Sequence, residues 1–148
     1  MESLRELTSD GRNSALPIVW NVMVLFILET LLQNLYYTVE IKYLDTYASF
    51  SSFGEVFKNK IMVFGVGKLI FILPVYVLYY LMIARYEDTE FLLSLRHSLI
   101  FMGMFFIIGL FLPGELIRHI MDTIFLSLIV FVTAYYYLKY TSFKHKLF

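Results

Sequence analysis

The 148-residue sequence has no cysteine, only three prolines and only 16% charged residues. Without cysteine there are no disulfides, zinc ribbons, thiol nucleophiles or cysteine-held clusters. Twelve basic residues balance twelve acidic ones. There is thus no basic footprint for nucleic acid and no acidic tail for a cationic partner. Also missing are a G-x-S-x-G elbow, a glycine-rich phosphate loop before a helix, an H-E-x-x-H pair and a Walker motif. Ser127 and His119, two turns apart on one helix, are too distant to act as nucleophile and base. The sequence therefore reads as non-enzymatic and without a cofactor.

What is present is hydrophobicity: 59% of residues are apolar or aromatic, well above the roughly 45–50% of soluble domains. It is concentrated in four stretches, at about residues 16–37, 61–84, 98–112 and 116–138. Each is apolar nearly all round, whereas a soluble bundle of this size needs a charged face on every helix. The expected fold is all-α: one polytopic membrane domain over residues 1–148, with four transmembrane helices and a short amphipathic segment on the outer face. In that segment Phe50, Phe53 and Phe57 have helical spacing, and Ser52 with Glu55 forms a capping-box pattern.

The remaining boundaries follow from local chemistry. Glu2, Glu6 and Asp10 precede the first span and no small-x-small site follows it, so that span reads as an anchor rather than a cleaved signal. Placing both termini in the cytoplasm puts seven basic residues inside (Arg5, Arg12, Arg85, Arg96, Lys139, Lys144, Lys146) and three outside (Lys42, Lys58, Lys60). That bias favours this orientation, in a bacterial inner membrane. Pro113 and Gly114 make a tight turn between antiparallel third and fourth spans, and Asp88 is a candidate cap for the helix entering the third. Pro74 is expected to disturb the second span and free the carbonyl near Ile70. Gly65 and Gly67, and similarly Gly103 and Gly109, are expected to admit close helix approach.

Function is best sought at charges the bilayer should have rejected, since one at its centre costs at least about 2.5–3.5 kcal/mol. These are Glu29, Lys68, Arg118 and Asp122, at about 6–12 Å from the outer ends of their spans at about 1.5 Å per residue. The expected ion pairs are Glu29 with Lys68, and Arg118 with Asp122 at i, i+4. Two roles stay open for them: structural pairs that lock the bundle, or members of a polar pathway. On the first span Glu29, Gln33, Tyr36 and Glu40 lie within about 60° of helix face, and His119 and Asp122 on the fourth span could oppose that stripe across an aqueous crevice. Glu115, His119 and Asp122 also have metal-ligand spacing. His97, placed in the cytoplasmic link, cannot reach that group, so no metal is assigned.

The leading expectation is a homo-oligomeric channel or membrane-permeabilising assembly whose acid stripe faces a shared axis. The alternatives are an accessory or scaffold subunit bound to a larger membrane protein and, third, an intramembrane lipid-modifying enzyme. In general architecture the chain is similar to small four-span bacterial anti-phage effectors and to partner subunits of transport or secretion machines. The partners expected are the lipid bilayer, further copies of the chain and a larger membrane protein.

Overall fold

The computed structural model describes residues 2–41, 52–83, 89–111, 114–141 and 143, with side chains from residue 15 onward. Among the described residues 94% are helical and none is in a strand. Four helices are long and apolar enough to cross a membrane: Ala15–Val39, Phe53–Ile83, Glu90–Leu110 and Leu116–Tyr140. Phe50, Asp88, Pro113 and His145 lie outside the described residues, as do the side chains of the first fourteen.

Helix α1 runs Glu2–Val39. Between Ile18 and Thr38 it buries Ile18, Val22, Leu25, Phe26, Glu29, Gln33 and Thr38 while Ile27, Leu31 and Leu35 stay exposed. That is the three-and-four spacing of a helix with one inward face. Pro17 lies inside α1, where it supplies no N–H of its own. One turn on, Asn21 Nδ2 donates to the Pro17 carbonyl at 2.7 Å.

The second crossing is a segmented rod. Its first piece, α2 (Phe53–Lys60), carries the capping box expected from its sequence: Glu55 N donates to Ser52 Oγ at 3.3 Å and Ser52 N to Glu55 Oε2 at 3.2 Å. Phe53 and Phe57 stack at 6.3 Å. Rather than ending, α2 continues through a π-helical turn (Ile61–Gly65) into α3 (Val66–Phe71), so the amphipathic segment is the first part of the second crossing. The rod is interrupted at Ile72 and resumes as α4 (Leu73–Ile83), with Pro74 in its first turn. This is the disturbance proline predicts: Pro74 has no N–H to offer the Ile70 carbonyl.

Helix α5 spans Glu90–Leu110 and α6 spans Leu116–Tyr140. Helix α5 begins eight residues before the boundary hydropathy suggested, because Thr89 caps it, its side chain accepting from Leu92 N at 3.3 Å. The third crossing therefore carries Glu90, Arg96 and His97. Helices α5 and α6 pack along their length, and α1 packs on α4 and α6.

The glycines divide. A Cβ at Gly65 would meet Thr30 at an ordinary 3.6 Å, and one at Gly67 or Gly103 would meet nothing, so close approach is not what these three provide. Gly109 is different, because a Cβ there would run into the His119 ring. Gly109→Ala must expel that imidazole from between the helices. The expected loss is about 1–3 kcal/mol, read as a lower thermal midpoint in detergent and recovered in the double variant Gly109→Ala/His119→Ala.

Candidate functional site: a buried glutamate–lysine–histidine centre

Three ionisable side chains from three helices meet inside the bundle. Glu29 of α1 and His97 of α5 are wholly buried, and Lys68 of α3 is 2% exposed. Glu29 Oε1 lies 2.5 Å from His97 Nε2. Glu29 Oε2 accepts from the Tyr76 hydroxyl at 3.4 Å and sits 3.9 Å from Lys68 Nζ. The expected Glu29–Lys68 pair thus exists as an ion pair, but the shorter contact of the carboxylate is to the histidine.

Lys68 is satisfied mainly by neutral groups. Its ammonium donates to Gln33 Oε1 at 2.6 Å and to Thr30 Oγ1 at 3.1 Å. It also faces the rings of Phe26, Phe101 and Phe64, whose centroids lie 4.9, 5.2 and 5.8 Å away. Aromatic faces carry partial negative charge, so they hold a desolvated cation without adding a formal one. Gln33 in turn donates through Nε2 to the Leu126 carbonyl of α6 at 3.4 Å. One network therefore ties α1, α3, α4, α5 and α6 together.

His97 is enclosed by tyrosines. The ring of Tyr76 lies 3.9 Å from it and that of Tyr80 5.5 Å, centroid to centroid. The two tyrosines are four residues apart on α4, hence on one helix face, and both are wholly buried. Among the described residues His97 Nδ1 and the Tyr80 hydroxyl have no hydrogen-bond partner. The site was hidden in the sequence because hydropathy alone ended the third span at Ser98. The signal that could have revealed it is the spacing of Ser94, His97, Ser98 and Phe101, four buried residues on one face of α5.

The polar stripe on α1 turns inward. Glu29 and Gln33 are buried in their own bundle, Tyr36 stacks on Phe125 of α6 at 6.3 Å, and Glu40 approaches Arg118 at 3.7 Å. Arg118, expected to pair with Asp122 one turn along its own helix, acts electrostatically on Asp122 and makes its close contact with Glu40, just past the end of α1. Asp122 is half-buried on the same helix. His119 is not part of the stripe's surroundings: it packs between Phe105 and Phe106 of α5, with Nε2 3.3 Å from the Phe106 carbonyl. Thr123 donates to the His119 carbonyl rather than to its ring.

At the other end of the bundle the Tyr137 hydroxyl donates to Asn21 Oδ1 at 2.9 Å, and Phe143 is buried against Tyr80 and Tyr137. A small open groove between α5 and α6, lined by Met102, Gly103, Phe106, Ile120, Thr123 and Ile124, is almost wholly apolar. It does not reach the charged centre, and its lining offers no nucleophile–base pair. Compared with known protein families, with characterised proteins and with solved structures, the chain matches none.

Proposed function

We propose that the chain is a non-enzymatic small integral membrane protein that serves as an accessory or scaffold subunit for a larger membrane partner. The observation that carries this reading is the inward closure of its charged centre. Glu29, Lys68 and His97 are coordinated within one copy and almost completely buried. A pore around a shared axis needs its acids on a surface that other copies can face. Here the two inward members of the stripe are spent on holding five helical segments in one arrangement. With histidine neutral, glutamate and lysine cancel, so the bundle presents an apolar exterior to lipid or to a partner helix. On the charge bias of the flanking segments, this reading places both termini on the cytoplasmic side.

The channel reading retains one support, the partly exposed Glu40–Arg118 pair at the far end of α1 and α6. The mass of the protein in nanodiscs, followed by planar-bilayer recording, separates the two. A monomer or dimer without current is expected. A closed ring of four or more copies whose conductance changes in Glu29→Gln would overturn the accessory reading and establish the channel.

A further inference from the structure

We propose that α5 presents a docking face to one membrane-spanning helix of a partner protein, a helix that carries aspartate or glutamate opposite Arg96. The inference rests on the accessory reading and names the surface that role uses. Arg96 is exposed on the Glu90–Leu110 crossing. It directly precedes His97, whose contact with Glu29 fixes its depth. Glu29 lies about 15 Å from the nearer end of the Ala15–Val39 crossing at about 1.5 Å per residue. A guanidinium at that level is costly against lipid tails, and charges in such segments face protein or water and pair there. Arg96 also interacts within its own chain. Its five N–H donors form a planar fork, which leaves others for a carboxylate held through two parallel bonds.

The surface around Arg96 is shaped for a helix. Arg96, Leu99, Gly103, Ile107 and Leu110 lie within about 80° of one side of α5. All five are exposed, on the side opposite the one that buries Ser94, His97 and Phe101. A Cβ at Gly103 would meet nothing, so the bundle itself makes no use of the bare backbone there. A helix from outside can come close over it. Gly103 also belongs to the almost wholly apolar groove between α5 and α6, which is placed to receive that helix's side chains. One cation on an otherwise apolar face has as its complement an apolar helix with one acid. A second copy of the chain does not supply this. Level with Arg96, the acid among the described residues is Glu29, and it is wholly buried. Glu40 and Arg118 meet at the other end of the bundle, with Asp122 one turn further along α6. Copies inserted in one orientation therefore bring no exposed carboxylate of the described residues to Arg96.

The test uses the full chain in lipid vesicles and a synthetic probe, a membrane-spanning leucine–alanine helix with one glutamate at the depth of Arg96. A control helix has glutamine in its place. Association is read by energy transfer between a label on the probe and one on Tyr140→Cys, the chain having no cysteine of its own. The glutamate probe is expected to bind at least about tenfold more tightly than the glutamine probe, as close charge pairs at interfaces do. In Arg96→Gln the two probes are expected to bind equally. Gly103→Leu, at a position with open space in the bundle, is expected to weaken both. Equal binding of the two probes by the unchanged face, with Arg96 reaching water at its own end of α5, would overturn the proposal. So would a glutamate preference that survives Arg96→Gln, or binding that is not weakened in Gly103→Leu. Copy number and conductance are measured apart from this. A monomer without current that ignores the glutamate probe rejects the face and leaves the accessory role standing, whereas a conducting ring rejects that role whatever the probes do.

Discussion

Lys68→Met is expected to lower the stability of the folded bundle by about 3–5 kcal/mol, the usual loss when one member of a buried ion pair is removed. Methionine fills much of the same volume, so the effect is not a cavity. It comes from Glu29, left inside the protein without the lysine ammonium that lies 3.9 Å from its Oε2. Glu29→Gln should fall in the same range for the converse reason: Lys68 keeps Gln33, Thr30 and three aromatic faces but loses its carboxylate. The decisive measurement is the double variant Glu29→Gln/Lys68→Met. Its folded yield and thermal midpoint are expected to recover most of what either single change loses, since the two charges no longer need each other. If the double variant is as depleted as the sum of the singles, the pair does not function as a unit.

Much of this architecture was legible because its causes are local. Ser52 and Glu55 sit three residues apart ahead of an apolar run, and the capping box forms as that pattern dictates. The four apolar stretches became four helices because each backbone polar group must find a partner within its own segment once water is excluded. Glu29 and Lys68 were identifiable singly, since a charge inside such a stretch is conspicuous. Their surroundings were not. The helix containing His97 begins at a capping threonine, and a hydropathy profile averages that boundary away. The direction of the α1 stripe is likewise a tertiary fact. Spacing shows that Glu29, Gln33, Tyr36 and Glu40 share a side, but only packing against α3, α4, α5 and α6 decides whether that side faces the chain's own interior. Arg118 shows the same limit from the other direction. Its charge acts on the i, i+4 neighbour Asp122 that spacing offers, yet the close contact to Glu40, distant in sequence, is visible only in the packed bundle.

The charged centre explains why the core around it is aromatic rather than aliphatic. Phe101 is wholly buried, stacks on Phe105 at 5.3 Å and presents its ring to the Lys68 ammonium at 5.2 Å. Leucine there would fill space but offer no negative face to the cation. Phe101→Ala is therefore expected to lower stability by about 3–5 kcal/mol, the usual range for emptying a buried phenylalanine site. Phe101→Leu separates the two contributions. If the ring serves only as packing, leucine should recover nearly all of the loss. If it also holds the desolvated ammonium, a deficit of up to about 2 kcal/mol should persist. That deficit should vanish when Phe101→Leu is introduced into the Glu29→Gln/Lys68→Met background, where no cation remains to be held. Thermal unfolding of the four proteins in one detergent completes this cycle. A Phe101→Leu deficit of the same size in both backgrounds would assign it to shape alone, and the three phenylalanine faces around Lys68 would then be ordinary core.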